Sequence, residues 1–310
     1  MTTWTCKYEC PELMKIVDLV SAQNPLQRKR IKAFMTRPDT EYLSFAEDLS
    51  GKLNHTLLRS DQQRVEAARS YNQMCMDMLR EQIRFRKTGS YPRGNARDAK
   101  EQIYDQPEIM RSYIVGLLLS YLFWPNHYRI FRFFREHLKN LRVRNCLEVG
   151  AGHGLFTAEV MRHSPGLDIT VVDISEASIG LAREMLATFQ LDPAAVRFIT
   201  GDFLAASLPD KGFDFIVMGE VLEHVNDAPA FLKRARQVIE PGGTAFLSTC
   251  TNCPATDHVY HFQAVCQIRD TIRDAGFTII EDLPLPAEDV PEERWEEELV
   301  TVNYCAILTG

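Results

Sequence analysis

The chain has 310 residues, 45% hydrophobic and 25% charged, which is typical of a globular protein with a sizeable core. A formal net charge of −7 argues against a general nucleic-acid binder, which normally carries a basic surplus, and leaves room only for a local basic groove. Residues 1–10 lack the features of a secretory signal, and no apolar stretch is long enough to cross a bilayer. The eight scattered cysteines then predict reduced thiols in a cytoplasmic protein without membrane association.

Helical patterns fill most of the chain up to residue 141. Residues 61–87 read as one long polar helix, and Pro107 occupies a typical first helical position. The helix that follows Pro107 is apolar on nearly every side through residue 124, which predicts a buried helix and not a membrane anchor. We therefore assign residues 1–141 to an all-helical N-terminal region.

The hydrophobic pattern changes at Val143, after which short apolar runs alternate with helical segments. The predicted strands are residues 145–150, 168–174, 196–201, 213–219, 244–250, 278–283 and 301–308. The predicted helices are residues 154–163, 176–189, 228–239 and 262–275. Such alternation predicts an α/β domain over residues 142–310, with a parallel sheet covered by crossover helices. The last two strands have only a loop between them, so they could pair antiparallel at one edge.

A glycine-rich loop follows the first predicted strand and precedes a helix. Gly150, Gly152 and Gly154 have the spacing G-x-G-x-G, whereas dinucleotide-binding enzymes use G-x-G-x-x-G. Glu148 stands just before the first glycine, where its carboxylate would repel a pyrophosphate but suits a cationic amino-acid ligand. The loop therefore favours a ligand other than a dinucleotide.

Acidic residues end the next two predicted strands. Asp173 lies about 20 residues after the glycine loop, where a carboxylate can accept hydrogen bonds from both hydroxyls of a ribose. Asp202 can meet an adenine amino group while Phe203 covers the face of the ring. Since successive parallel strands end at the same edge, these groups point to one crevice.

These motifs resemble, in order, those of class I S-adenosylmethionine-dependent methyltransferases. Two further segments match the same family, FDFIVMGE at residues 213–220 and PGG at residues 241–243. The resemblance covers the chain from about residue 141 onwards and implies a Rossmann-like seven-stranded sheet whose last strand is antiparallel. It also implies that S-adenosylmethionine is the cofactor. The cofactor-binding residues that we predict are Glu148, Gly150, Gly152, Gly154, Asp173, Ile174, Asp202, Phe203 and Gly219.

A carboxylate–histidine cluster follows the fourth strand, in a segment that lies beside the methyl donor in this family. On a helical turn Glu220, Glu223 and His224 would project to one side, and we predict that they are the catalytic residues. His258 and His261 come after the fifth strand. Oxygen and imidazole ligands suit a divalent metal, and the pairing resembles the metal site of small-RNA 2′-O-methyltransferases. Ubiquinone-biosynthesis O-methyltransferases carry a similar Glu-x-x-Glu-His segment.

Three roles stay open for this cluster. It could bind a divalent metal through Glu220, Glu223, His224 and either His258 or His261. It could be metal-free, with His224 as general base, or it could only position other groups. The sequence does not rank His258 and His261 firmly, although His258 follows an acid and better matches the small-RNA pattern.

The favoured function is methyl transfer from S-adenosylmethionine to a small molecule, at oxygen. One alternative is an RNA terminal 2′-O-methyltransferase, although the negative net charge of the chain counts against it. Another alternative is a non-catalytic binding protein that kept the methyltransferase fold. We expect residues 113–124 to lie near the cofactor cleft and the N-terminal region to cap it.

Trp124 and His127 are assigned to core packing. Cys250 and Cys253 form a CxxC motif, but the sequence has no second such motif, so we predict that these cysteines have no function. The oligomeric state is left open.

Overall fold

The computed structural model describes residues 10–36 and 39–310. Cys6 and the predictions for residues 1–9 therefore lie outside the described residues. The N-terminal region is helical, as predicted. Its helices are α1 (Pro11–Gln23), α2 (Pro25–Phe34), α3 (Thr40–His55), α4 (Asp61–Thr88), α5 (Ala96–Ala99), α6 (Pro107–Phe123) and α7 (Pro125–Leu138).

Local sequence explains where these helices begin and end. Ser60 and Gln63 form a capping box that satisfies the free N–H groups at the start of α4, and Gly89 ends that helix at a φ of +68°. After α5 the chain continues into a π-helical turn, Lys100–Tyr104, a type of irregularity that is frequent at functional sites. The turn places Tyr104 just before α6.

Helix α6 is buried, as its sequence predicts. It packs against α4, where Gly116 permits close approach because a Cβ at this position would lie 3.1 Å from the carbonyl oxygen of Ser70. Pro107 stands at the start of the helix. Among the described residues, no helix is both long enough and apolar enough to cross a membrane.

A seven-stranded sheet forms the C-terminal half. Its strands are β1 (Asn145–Val149), β2 (Asp168–Asp173), β3 (Val196–Thr200), β4 (Phe213–Gly219), β5 (Ile239–Thr251), β6 (Thr278–Pro286) and β7 (Val302–Thr309). The order is β3-β2-β1-β4-β5-β7-β6, and β7 runs antiparallel to both of its neighbours. This arrangement confirms the predicted fold, including the antiparallel last strand.

Four helices accompany the sheet: α8 (Leu155–His163), α9 (Glu176–Thr188), α10 (Ala228–Val238) and α11 (Val265–Asp274). Helix α11 begins three residues later than predicted because Phe262 forms an isolated β-bridge with Thr251. Helix α7 packs on the sheet through Phe134, whose ring centroid lies 4.9 Å from that of Phe246 on β5. One apolar core therefore extends from the N-terminal helices into the sheet, and the division at residue 141 stays a prediction.

Candidate active site

A cavity of about 280 Å³ opens at the carboxyl ends of the central strands. The loops after β1, β2, β3 and β4 line one side, as expected for a ligand crevice in an open α/β sheet. The N-terminal region lines the other side with Tyr104, Met110, Tyr113, Ile114, Leu117 and Tyr121. This placement confirms that the helix predicted at residues 113–124 lies beside the glycine loop.

The glycine loop and the end of β2 form the first part of the wall. Gly150 and Gly152 line the cavity with positive φ angles of +83° and +49°, a conformation that glycine adopts without strain. The carboxylate of Asp173 accepts hydrogen bonds from the backbone N–H groups of Gly152 (3.4 Å) and Ser175 (2.7 Å), which fix its direction. Burial raises the pKa of Asp173 to about 6. Ile174 lines the cavity next to it.

The ends of β3 and β4 complete the wall. Asp202 accepts a hydrogen bond from the backbone N–H of Leu204 at 2.9 Å, and Phe203 packs on Phe231 with ring centroids 4.8 Å apart. Asp202, Phe203 and Gly219 all line the cavity. The structure thus brings seven of the nine predicted cofactor-binding residues to one cavity.

The other two, Glu148 and Gly154, are not among the lining residues. The carboxylate of Glu148 accepts a hydrogen bond from the hydroxyl of Thr157 on α8, and burial raises the pKa of Glu148 to about 8. Glu148 therefore links β1 to α8, in place of the predicted direct contact with a cationic ligand.

Gly154 has a packing role, which gives a testable prediction. Its φ is +75°, and a Cβ there would lie only 2.7 Å from the Cα of Ala182 on α9. We expect Gly154→Ala to lower the free energy of unfolding by about 1–3 kcal/mol, because the left-handed backbone and the overpacking both oppose a side chain. Urea unfolding measures the change. Gly180→Ala is the matched control, since a Cβ there meets nothing within 4 Å; equal stability of the two variants would contradict this role.

The segment after β4 does not form the predicted α-helical turn. Glu220 has a φ of +50°, and its N–H donates to the carbonyl and hydroxyl oxygens of Ser248 at 3.0 and 3.1 Å. A short 3₁₀ helix, Leu222–His224, follows. Because the backbone turns in this way, Glu220 and His224 line the cavity but Glu223 does not, so the three side chains do not share one face. This corrects the prediction of a common face.

Glu223 is buried behind the cavity wall, with its side chain 1% exposed. Its Oε2 accepts a hydrogen bond from Thr249 at 2.8 Å, and its Oε1 lies 4.0 Å from the sulfur of Cys250. Burial raises the pKa of Glu223 well above its usual value, and the nearby carboxyl of Glu220 raises it further. A group held in this way supports the wall and is not aimed at a substrate.

His224 instead joins a hydrogen-bonded network with the N-terminal region. Its Nδ1 lies 3.0 Å from the hydroxyl of Tyr104 and 3.3 Å from Oδ2 of Asp257. Tyr104 donates to Oδ2 of Asp257 at 3.2 Å, and Tyr113 donates to Oδ1 at 3.2 Å. A proton on Nδ1 of His224 can be donated to these oxygens, and Nε2 is the ring nitrogen that they do not contact.

Sequence reasoning missed Asp257, Tyr104 and Tyr113 as members of this network. Asp257 stands directly before His258, and that neighbourhood was the only signal in the sequence. The two tyrosines meet it across more than 140 residues, and only the folded chain shows that contact.

The predicted metal ligands come together only in part. Among the described residues, Glu223, His224 and His258 offer ligand atoms that lie within 4.8 Å of one another. His261 lies outside this group; its Nε2 is 2.9 Å from Oδ1 of Asn252. Glu220 also lies outside, on the cavity wall, and its buried Oε1 has no hydrogen-bond partner among the residues that the structure describes. The donor set thus fits a three-ligand site, with His258 in place of His261, and not the complete predicted cluster.

The charged side chains described on the cavity wall are acidic. Within residues 10–36 and 39–310, no lysine or arginine lines the cavity. The carboxylates that line it are Asp173, Asp202, Glu220, Asp227 and Asp257. Such a wall favours a cationic ligand, such as a sulfonium, and disfavours a phosphate.

Comparison with known proteins agrees with this geometry. A family model described as a methyltransferase domain matches residues 124–281, about half of the chain. The chain belongs to this methyltransferase family. The glycine loop, Asp173 and Asp202 line the cavity at the strand ends where the predicted cofactor would lie.

Individual relatives match shorter segments. The chain is 31% identical over 121 residues to an uncharacterized methyltransferase of Mycobacterium tuberculosis (strain CDC 1551), covering 39% of this chain and 58% of the relative. It is 30% identical over 117 residues to the ubiquinone biosynthesis O-methyltransferase of Pseudomonas aeruginosa (strain UCBPP-PA14). This match covers 37% of this chain and 47% of the relative. The chain thus spans about half the length of the curated relatives it matches.

Solved structures share the fold. The N-methyltransferase NodS of Bradyrhizobium japonicum WM9, in complex with S-adenosyl-L-homocysteine, has a TM-score of 0.52 at 20% identity, covering 67% of this chain and 97% of NodS. Phosphoethanolamine N-methyltransferase 2 of Haemonchus contortus, in complex with S-adenosyl-L-methionine, has a TM-score of 0.52 at 13% identity. This match covers 70% of this chain and 60% of the Haemonchus enzyme. At these identities the similarity shows the fold alone.

Proposed function

We propose that this methyltransferase methylates an oxygen of a small acceptor, with His224 as the general base. The observation that carries the proposal is the position of the His224 ring: it lines the cavity while Asp257 and Tyr104 occupy its Nδ1. In this proposal Nε2, the ring nitrogen that Asp257 and Tyr104 do not engage, takes the proton of the acceptor. Asp257 does not need to touch the substrate; it positions His224.

S-adenosylmethionine, when bound, supplies an electrophilic methyl group. The chain then has to align the acceptor and remove its proton. Ile114 and Leu117 supply apolar surface on the α6 side of the cavity for the acceptor. The unpartnered Oε1 of Glu220 is an acceptor for a hydrogen-bond donor on the cofactor or the substrate.

The lining charges support an uncharged or cationic small molecule as acceptor. A phosphate or carboxylate on the acceptor would meet the carboxylates of Glu220 and Asp257, and the described part of the wall has no lysine or arginine to offset them. The same argument counts against the RNA terminal 2′-O-methyltransferase, whose substrate is a polyanion. A non-catalytic binding protein is disfavoured because predicted cofactor-binding residues after each of β1, β2 and β3, and at the end of β4, line the cavity.

Metal-assisted O-methylation is the second candidate, favoured by the proximity of Glu223, His224 and His258. A divalent metal there would lower the pKa of an acceptor hydroxyl, so that no protein base would be needed. A metal at this position should remain bound in Cys253→Ser and be lost in His224→Ala. Elemental analysis of the two variants tests this candidate.

The cytoplasm is the location that we propose. In support, the cysteines of the described part of the chain form no disulfide bond with one another.

The acceptor class is tested with matched pairs of compounds, each an alcohol or phenol and its phosphate ester or carboxylated analogue. Mass spectrometry follows transfer of a labelled methyl group from S-adenosylmethionine. We expect methyl ethers from the uncharged or cationic members and at least about tenfold slower transfer to the anionic ones. Faster transfer to the anionic members, or to an RNA oligonucleotide, would overturn the acceptor class. Transfer to amines but to no hydroxyl would overturn O-methylation.

A further inference from the structure

A cluster of thiols and an imidazole lies behind the cavity wall, where β5 ends. Cys250 is in the strand, and Asn252 then adopts a φ of +47°, a left-handed turn that asparagine tolerates well. The turn brings Cys253 back beside Cys250. Ligand atoms of Cys250, Cys253 and His258 all lie within 4.8 Å of one another.

The imidazole of His258 is oriented as a metal ligand would be. Its Nδ1 lies 2.6 Å from the carbonyl oxygen of Cys253, so Nδ1–H donates and Nε2 keeps its lone pair. Histidines that bind metals almost always donate their second ring N–H to a carbonyl or carboxylate in this way. This contact fixes the tautomer that a metal needs.

Glu223 offers a further donor beside Cys250 and His258. Thr249 holds its Oε2, while its Oε1 faces the sulfur of Cys250 at 4.0 Å. The carbonyl oxygen of Glu223 accepts hydrogen bonds from the N–H groups of Val259 (2.7 Å) and Tyr260 (3.0 Å). The segment after β4 and the loop after β5 are thereby held together around the cluster.

We propose that Cys250, Cys253 and His258 bind a structural Zn²⁺ ion, with Glu223 as the fourth ligand. Two thiolates, an imidazole and a carboxylate are donors that zinc takes in tetrahedral sites. Cys250 and His258 are 1% and 6% exposed and Cys253 is half-buried, so protein surrounds most of the site. The sequence lacks a second CxxC pair, and the fold supplies His258 and Glu223 instead.

The zinc site would stabilise the active-site loop. Asp257, which positions His224, stands directly before His258 in that loop. Tyr91 fixes the same loop from the N-terminal region, because its hydroxyl accepts a hydrogen bond from the N–H of Cys253 at 2.9 Å. The zinc site and the catalytic metal considered above share Glu223 and His258, so one excludes the other. The catalytic metal would use His224 and neither cysteine.

The test begins with the full chain purified under reducing conditions. We expect stoichiometric zinc by elemental analysis, and, after replacement of zinc by Co²⁺, a thiolate-to-cobalt charge-transfer band with the visible bands of a tetrahedral centre. Cys253→Ser should lose the zinc and the charge-transfer band. Cys266→Ser is the control, because Cys266 is exposed and lies outside the cluster, and it should keep both. His224→Ala should also keep the zinc.

Several outcomes would overturn the proposal: no zinc and no charge-transfer band in the reduced wild-type protein, zinc retained in Cys253→Ser, or zinc lost in His224→Ala. A Cys250–Cys253 disulfide in place of the metal, found by mass spectrometry of protein purified without reductant, would also overturn it. The cobalt spectrum of the wild-type protein needs no variant, so the test stands even if Cys253→Ser does not fold.

Discussion

Replacing His224 by glutamine should lower kcat by about 10²–10⁴-fold, the usual contribution of a general base. Glutamine keeps a polar side chain at the cavity but cannot take up the acceptor proton. Binding of S-adenosylmethionine should change little, since the cofactor wall is built from other residues. Initial rates with a methylated acceptor, and calorimetric titration with the cofactor, measure the two effects separately.

Two further variants make this result specific. Asp257→Asn should lower kcat with little change in KM, because the amide can hold the imidazole of His224 but favours the wrong tautomer. The limb of the pH–rate profile that reports the base should also move. His55→Gln is the matched control. This exposed histidine has its Nδ1 2.6 Å from the carbonyl oxygen of Gly51 and does not line the cavity, so the variant should retain wild-type activity. Activity of His224→Gln within about threefold of wild type would remove His224 as the base.

Asp173→Ala should weaken the binding of S-adenosylmethionine by about 1.5–3 kcal/mol, the range for hydrogen bonds to a charged group. This corresponds to roughly a 10- to 150-fold rise in Kd. Asp173 lines the cavity, and backbone N–H groups hold its carboxylate in place. Calorimetry on the folded variant gives the Kd, and an unchanged value would remove Asp173 from the cofactor site.

The same residue predicts a pH dependence. Burial raises the pKa of Asp173 to about 6, so the carboxylate becomes protonated as the pH falls through that value. The protonated form loses its charge and part of its capacity to accept hydrogen bonds from the ribose. Affinity of the wild-type protein for the cofactor should therefore fall below about pH 6, whereas Asp173→Asn should bind weakly with no such step. A step of equal size in both proteins would assign it to another group.

Much of the fold followed from the sequence because its signals are local. The alternation of apolar runs and helices predicts the parallel sheet, and the acids at the ends of β2 and β3 lie at strand ends that the sheet must bring together. Asp173 and Asp202 were therefore predictable as neighbours in one cavity. The apolar residues on nearly every side of α6 likewise predict that this helix is buried.

The catalytic half of the cavity was less predictable because it depends on backbone turns and distant contacts. The positive φ of Glu220 and the 3₁₀ turn after it leave Glu223 behind the cavity wall while His224 lines the cavity, and no residue pattern in the sequence predicts that turn. The contact between Tyr104 and His224 joins positions 120 residues apart. The role of Cys250 likewise depends on where the loop after β5 places His258.

The most direct test of the account is a crystal structure of the protein with S-adenosylhomocysteine. We predict the ribose at Asp173, the adenine between Asp202 and Phe203, and the sulfur facing open space bounded by Glu220 and His224, with Nε2 of His224 directed into that space. A cofactor bound elsewhere, or a sulfur that faces a part of the wall without His224, would contradict the account.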